Sequence, residues 1–211
     1  VLGSIGAGTG LAVTSMFSHW LLGEVNLWFI APMGASAVLL FGVPSSPLAQ
    51  PGAIVGGNVL SALIGVTVGM LVPDAALACG LAAALAIAGM YFLRCLHPPG
   101  GAVALTAILG GAGVHSEGYH FVLTPVLLNS LMLALLAIVF NNLVGRRYPH
   151  PLAAEEVKSR AVPLGISVTR EDIHAALLEG QFLDIDEYDV QEVLENIDQQ
   201  ARERIATAAR R

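Results

Sequence analysis

Charge is what the first two thirds of this chain lacks. Of 211 residues, positions 1–145 hold four charged side chains, Glu24, Asp74, Arg94 and Glu117, and no lysine. A water-soluble domain of that size needs polar groups over its surface, so four charges exclude one. The remaining residues, from Arg146 to Arg211, carry 22 charges, nine basic and 13 acidic. The tail therefore contributes −4 of the net charge of −6, and nothing in it suggests a nucleic-acid partner. Cysteine is scarce as well. Cys79 and Cys95 lie in or beside apolar stretches and read as core thiols; neither neighbourhood has the spacing of a metal site. No basic leader precedes the first apolar stretch and Val1 stands where an initiator would, so the natural N-terminus is expected upstream.

What is present is hydrophobic length. A membrane crossing needs about 20 apolar residues. Residues 1–22, 54–72, 75–93 and 123–145 meet that requirement, with Pro73-Asp74, Arg94 and Arg146-Arg147 as stops. Trp20 and Trp28 bracket Glu24 as an interfacial aromatic pair. The fold class expected is an all-α polytopic membrane bundle over residues 1–147, followed by a soluble helical tail over 148–211. In the tail, Pro149, Pro151 and Pro163 mark a linker. Thr169 to Asp172 resembles a capping box, and Gly180 ends the helix that it starts. A second amphipathic helix is expected from Asp186, with Val190, Val193, Leu194 and Ile197 on one face.

Two further apolar stretches are broken. Residues 28–43 are interrupted by Pro32, and residues 98–111 open on Pro98-Pro99-Gly100-Gly101. Proline disfavours helix at the residue before it, so each reads as an extended approach to a short helix. About 11 helical residues cover roughly 16 Å, half a bilayer's hydrocarbon. The two stretches match: Pro32-Met33-Gly34-Ala35-Ser36-Ala37 aligns with Pro99-Gly100-Gly101-Ala102-Val103-Ala104. In both halves a long helix precedes the break and another follows it, the latter carrying Asn58 or Asn129 near its start. This is an internal repeat of about 67 residues. If both broken segments cross, the halves are inverted, Arg94 and Arg146-Arg147 share the cytoplasmic side, and Glu24, His115, Glu117 and His120 face the other. If both re-enter instead, Arg94 moves outside.

Helices that begin inside a membrane present free N–H groups and a partial positive charge, and inverted repeats aim two such ends at one site. The candidate substrate-binding lining is therefore Pro32, Gly34, Ala35, Ser36, Asn58, His97, Pro99, Gly100, Gly101, Ala102 and Asn129. Each residue has a plainer reading. Small residues let membrane helices touch, as expected of Gly52/Gly56 and Gly65/Gly69, and asparagines bond neighbouring helices. His97 either serves an anion or a proton, or caps the Arg94 end of its helix. Asn141-Asn142 are expected at the headgroups. Gly3–Gly10 lacks the strand and lysine of a phosphate loop and reads as helix packing. Asp184, Asp186 and Asp189 lack the calcium-loop pattern. No nucleophile–base pair, metal cluster or cofactor motif emerges, so an enzyme is not expected.

Leu96-His97-Pro98-Pro99-Gly100-Gly101-Ala102-Val103-Ala104-Leu105 resembles the signature of the HPP family of integral membrane proteins. The stretch from Gly34 to Pro51 is similar to that family's second marked segment. The resemblance covers nearly all of residues 1–145. It implies four membrane helices and, from plant and cyanobacterial members, transport of nitrite or a like monovalent anion. Residues 172–177 and 183–186 are similar to the linker preceding paired CBS domains in some bacterial members. No such pair follows before Arg211: either the chain is a piece of a longer protein or this member lacks the module. The expectation is a multi-pass bacterial inner-membrane protein with a cytoplasmic tail, forming a homo-oligomer. The alternative is a membrane sensor or scaffold whose acidic tail binds a regulatory partner.

Overall fold

Proline and aspartate decide where the helices start. In a computed structural model, residues 1–22 and 30–150 are described, together with 194, 196, 197, 199, 202 and 203. Glu24, Trp28 and the tail's expected capping box and helix starts lie outside these. The chain divides into two compact units, Val1–His150 and Pro151–Arg211. Among the described residues of the first unit there are helices and turns and no strand.

The helices are α1 (Leu2–Leu22), α2 (Ile30–Ala37), α3 (Pro51–Leu71), α4 (Ala75–Phe92), α5 (Pro99–Leu109), α6 (Gly111–Glu117) and α7 (Leu128–Leu143). Pro51 and Pro99 occupy first helical positions, where a missing N–H costs nothing. Asp74 caps α4, its carboxylate accepting from Leu77 N–H at 2.8 Å. A π-helical turn extends α2 through Val38–Gly42, and another, Val122–Leu127, leads into α7. Pro125 lies inside the second, whose wider turn absorbs the hydrogen bond that proline cannot make.

Among the described residues three helices are long and apolar enough to cross a membrane: Pro51–Leu71, Ala75–Phe92 and Val122–Leu143. The 21 residues of α1 suffice in length, but Thr9, Thr14, Ser15, Ser18 and His19 dilute its apolar character. Of the four long apolar segments expected, three meet the measure of length and composition among the described residues, and α1 falls short on that ground. The broken segments are shorter apolar helices, Pro32–Gly42 and Pro99–Leu109. Helix α2 also differs from the extended approach expected. It begins at Ile30, so Pro32 falls within its first turn, where the backbone N–H is unneeded anyway.

Burial is arranged for lipid. Helix α4 buries Ala78, Ala82, Ala86 and Met90 and exposes Leu77, Leu81, Leu85, Tyr91 and Phe92. Large apolar side chains face outward and small ones face the bundle, as membrane helices require. Helix α3 is the centre, packing on α4, α5 and α7. Its Gly57, Ser61, Gly65 and Gly69 form one face against α5. A Cβ at Gly57 would stand 2.7 Å from His97 Cβ, and one at Gly65 would stand 2.6 Å from the Ala104 carbonyl. Gly52, expected to pack, has nothing within 4 Å; Gly57 does that work instead. In α1, Gly3, Gly6 and Gly10 receive Phe41, whose ring meets Phe140 edge-on at 5.6 Å.

These contacts fix the helix directions. The start of α1 (Gly3), the end of the α2 segment (Phe41, Gly42), loop 43–50 and Arg146 meet at one end: Arg146 donates to Phe41 O at 3.1 Å and Tyr148 to Ala49 O at 2.6 Å. At the other end Tyr119 pairs with Thr67 at 3.0 Å, beside the end of α3 and the Asp74 cap. Helices α1, α3 and α5 therefore run away from the arginine end, whereas α2, α4 and α7 run towards it. Arg94, three residues before His97, lies on the arginine side, because His97 bonds Leu48 O in loop 43–50.

Two outcomes are expected. Gly65→Val should cost about 1–3 kcal/mol by overpacking against α5, read as a lower melting temperature in detergent, with Gly34→Ala unchanged. With Cys79 and Cys95 replaced, thiols introduced by Arg94→Cys and Arg147→Cys should label from the same side of sealed vesicles, and one from Glu117→Cys from the other.

Candidate functional site

The two broken helices repeat each other in three dimensions. Pro32, Met33, Ser36, Ala37, Leu40 and Phe41 are buried, and so are Pro99, Gly100, Val103, Ala104, Ala107 and Ile108 at the equivalent positions. Between them Gly34 matches Gly101 as half-buried and Ala35 matches Ala102 as exposed. A Cβ at Gly34 or Gly101 would meet nothing within 4 Å, so both glycines leave open space. Gly100 differs: its Cβ would stand 2.8 Å from Ser61 Oγ, so this glycine serves close packing on α3.

Between the broken helices stands His97, completely buried. Its Nδ1 lies 2.8 Å from the Leu48 carbonyl. A carbonyl only accepts, so Nδ1 carries a proton and donates. Its Nε2 lies 2.8 Å from Ser36 Oγ, and Oγ lies 3.1 Å from the Pro32 carbonyl. Ser36 sits four residues after Pro32, roughly 6 Å along the helix, and His97 sits two before Pro99. The starts of α2 and α5 are thus brought within about a turn of each other. The alternative of His97 capping the end of α4 is not what this geometry shows.

The start of α5 is less open than expected. Pro98 and Pro99 have no N–H, Gly100 N–H donates to His97 O at 2.8 Å, and Gly101 N–H donates to Pro98 O at 3.1 Å. The cradle of free backbone donors expected here is therefore corrected to a helix end whose first donors are absent or paired. What remains open chemically is side-chain amide. Asn58 on α3 and Asn129 on α7 are buried. Asn58 Nδ2 donates to Ser130 Oγ at 3.0 Å, tying α3 to α7. Among the described residues the Oδ1 atoms of both asparagines are buried without a partner, as are Asn141 Oδ1, Thr14 Oγ1 and Ser18 Oγ. Unpaired buried carbonyls are costly, and native structures keep few of them.

Sequence spacing missed a polar clasp at the arginine end. Gln50 Nε2 donates to Pro44 O and Ser46 O, both at 2.9 Å, and its Oε1 accepts from His150 N–H at 2.8 Å. Asn141, expected at the headgroups, is wholly buried and donates to Leu40 O at 3.0 Å; Asn142 donates to Tyr148 O. The proline-rich composition of loop 43–50 was the available signal, since prolines leave carbonyls that need donors from elsewhere. Burial pushes the Tyr148 phenol above its ordinary range, so it stays a donor at any physiological pH. At the opposite end, burial raises the Glu117 carboxyl, partly opposed by His120. Among the described residues no group of His, Cys, Asp and Glu is placed to hold a metal ion.

The amides give a measurable contrast. Ser130→Ala, which strips the Asn58 amide of its acceptor, should cost about 1–3 kcal/mol of stability. Asn129→Leu removes an unpaired oxygen while keeping the branching of the side chain and should leave the melting temperature equal or higher.

Comparison with known proteins agrees with the architecture. Two transmembrane proteins of Dictyostelium discoideum are similar to this chain. One is 41% identical over 146 residues, covering 66% of the chain and 47% of that protein. The other is 42% identical over 125 residues, covering 57% and 44%. The chain thus spans about half the length of the curated relatives it matches. No solved structure matches significantly. The model of the HPP transmembrane region matches residues 1–149, and the chain belongs to the HPP family of transmembrane proteins.

Proposed function

We propose that residues 1–150 move a small monovalent anion, nitrite first among those to test, along a path between the two broken helices. The observation that carries this reading is the pair of buried amide oxygens without a partner among the described residues, Asn58 on α3 and Asn129 near the start of α7. A fold keeps such groups unpaired when something else pairs them in use. An amide offers a donor and an acceptor at once, so a small anion finds N–H groups there and its hydration water finds carbonyls. No lysine occurs in residues 1–145, and Arg94 is exposed. Binding by neutral dipoles is weak enough to release the solute, which conduction requires. Gly34 and Gly101 supply space beside the path.

The alternating helix directions support an inverted repeat, and matching burial along Pro32–Gly42 and Pro99–Leu109 supports its register. In that reading the two halves rock about the Ser36–His97 and Asn58–Ser130 contacts. By the positive-inside rule Arg94, Arg146 and Arg147 support a cytosolic arginine end, and the chain leaves the bundle there towards the tail. The exposed Ala35 and Ala102 on the broken helices suit contact between copies in a homo-oligomer.

The test is nitrite uptake into proteoliposomes. Wild type should exceed protein-free vesicles, and Asn129→Leu, though folded, should lose roughly tenfold or more of the flux, equivalent to about 1.4 kcal/mol on the barrier. Equal uptake with and without protein would sink the proposal.

A further inference from the structure

Four groups stand in line across the join of the two broken helices: Leu48 carbonyl, His97 imidazole, Ser36 hydroxyl and Pro32 carbonyl. Their three contacts measure 2.8, 2.8 and 3.1 Å. Each contact needs one hydrogen, and the two carbonyls supply none. With a neutral ring the line holds two protons, on Nδ1 and on Ser36. The hydroxyl must then donate to Nε2, leaving its contact with Pro32 O empty. A third proton, on Nε2, fills every contact: Nε2–H donates to Oγ, and Oγ–H turns to Pro32 O. No heavy atom has to move. The site is built to hold either two protons or three.

We propose that His97 and Ser36 form the proton-binding site of a proton–anion cotransport; the proposal rests on the anion path described above. Charge says when the third proton binds. Among the described residues Asp74 and Glu117 lie towards the opposite end of the bundle, the segment of His97 itself carries Arg94, which is exposed, and Cys95, and the Tyr148 phenol bonds Ala49 O in the loop that His97 meets. The described residues of α2 and α3 contribute no charged side chain. Among the described residues no carboxylate stands against a buried imidazolium here to balance it. An anion entering beside the starts of α2 and α5 provides that balance, so proton and anion stabilise each other's binding reciprocally. The proton comes from water on the entry side, forms the Nε2–H bond, and returns to water when the anion leaves; nothing is oxidised or reduced.

The experiment is calorimetric titration of the full-length chain in detergent with sodium nitrite, in two buffers of different ionisation enthalpy. The difference in heat counts protons. Wild type should take up about one proton per nitrite, and its apparent Kd should fall by up to about tenfold per pH unit on acidification between about pH 8 and 6. His97→Gln should abolish the uptake. Ser36→Ala, which removes a single hydroxyl and the acceptor for Nε2–H, should reduce it and serves where the histidine variant does not fold. Nitrite binding by wild type with no proton uptake would overturn the proton site and leave the anion path standing. No nitrite binding at either pH would overturn both.

Discussion

Interrupting a helix inside an apolar bundle frees backbone carbonyls where no water can pair them, and the fold's polar residues are spent on that problem. Loop 43–50 is the clearest case. Its carbonyls at Pro44, Ser46, Leu48 and Ala49 are met by Gln50, His97 and Tyr148, and none of the bonds is a helical one. His97 is the costliest of these donors to replace, because it serves Leu48 with one nitrogen and Ser36 with the other. A lysine could donate to the carbonyl but would bury a charge, and an amide in its place lacks the second ring nitrogen's reach and its ability to take a proton. Of these side chains only imidazole meets Leu48 and Ser36 together without a permanent charge.

The same constraint explains why α3 carries so much glycine. A broken helix half the length of its neighbours buries little area, so it must lie close to be held. Gly57 and Gly65 admit the His97 side chain and the Ala104 backbone to distances that any Cβ would forbid. Close approach replaces long overlap, through dispersion contacts that add up when backbones touch. Phe41 solves the mirrored problem at α2 with the opposite means, a large ring seated on the glycine face of α1 and against Phe140. Pseudo-equivalent positions are thus filled with complementary sizes rather than identical residues.

That substitution of size for size limits what spacing reveals. The helix boundaries at Pro51, Asp74 and Pro99 were legible because proline and an N-cap act locally, within a turn. The repeat was legible from Pro32 and Pro99, and its burial register follows the alignment closely. The bonds from His97 to Leu48 and Ser36 join residues 49 and 61 positions apart, and no local pattern encodes such a pairing. Asn141 illustrates the error that results. Its place near Arg146 suggests the headgroups, yet the bent end of the α2 segment exposes the Leu40 carbonyl to it. Gly100 and Gly101, adjacent in sequence, divide into a packing residue and an open one only because α5 turns them through about 100° relative to α3.

Against this economy, in which carbonyls freed by prolines find donors from distant segments, Asn58 and Asn129 stand out. Both could be leucine at no cost in hydrogen bonds to the backbone, since the one bond that either is seen to make to a partner helix is Asn58 to Ser130. Selection for stability alone would favour the apolar residue, because an unpaired buried carbonyl lowers the stability that packing provides. Two such amides, one on the long helix that follows each break, therefore point to a demand outside folding. Water drawn along with a passing anion meets it, because an amide oxygen accepts only from a donor and the anion itself offers none.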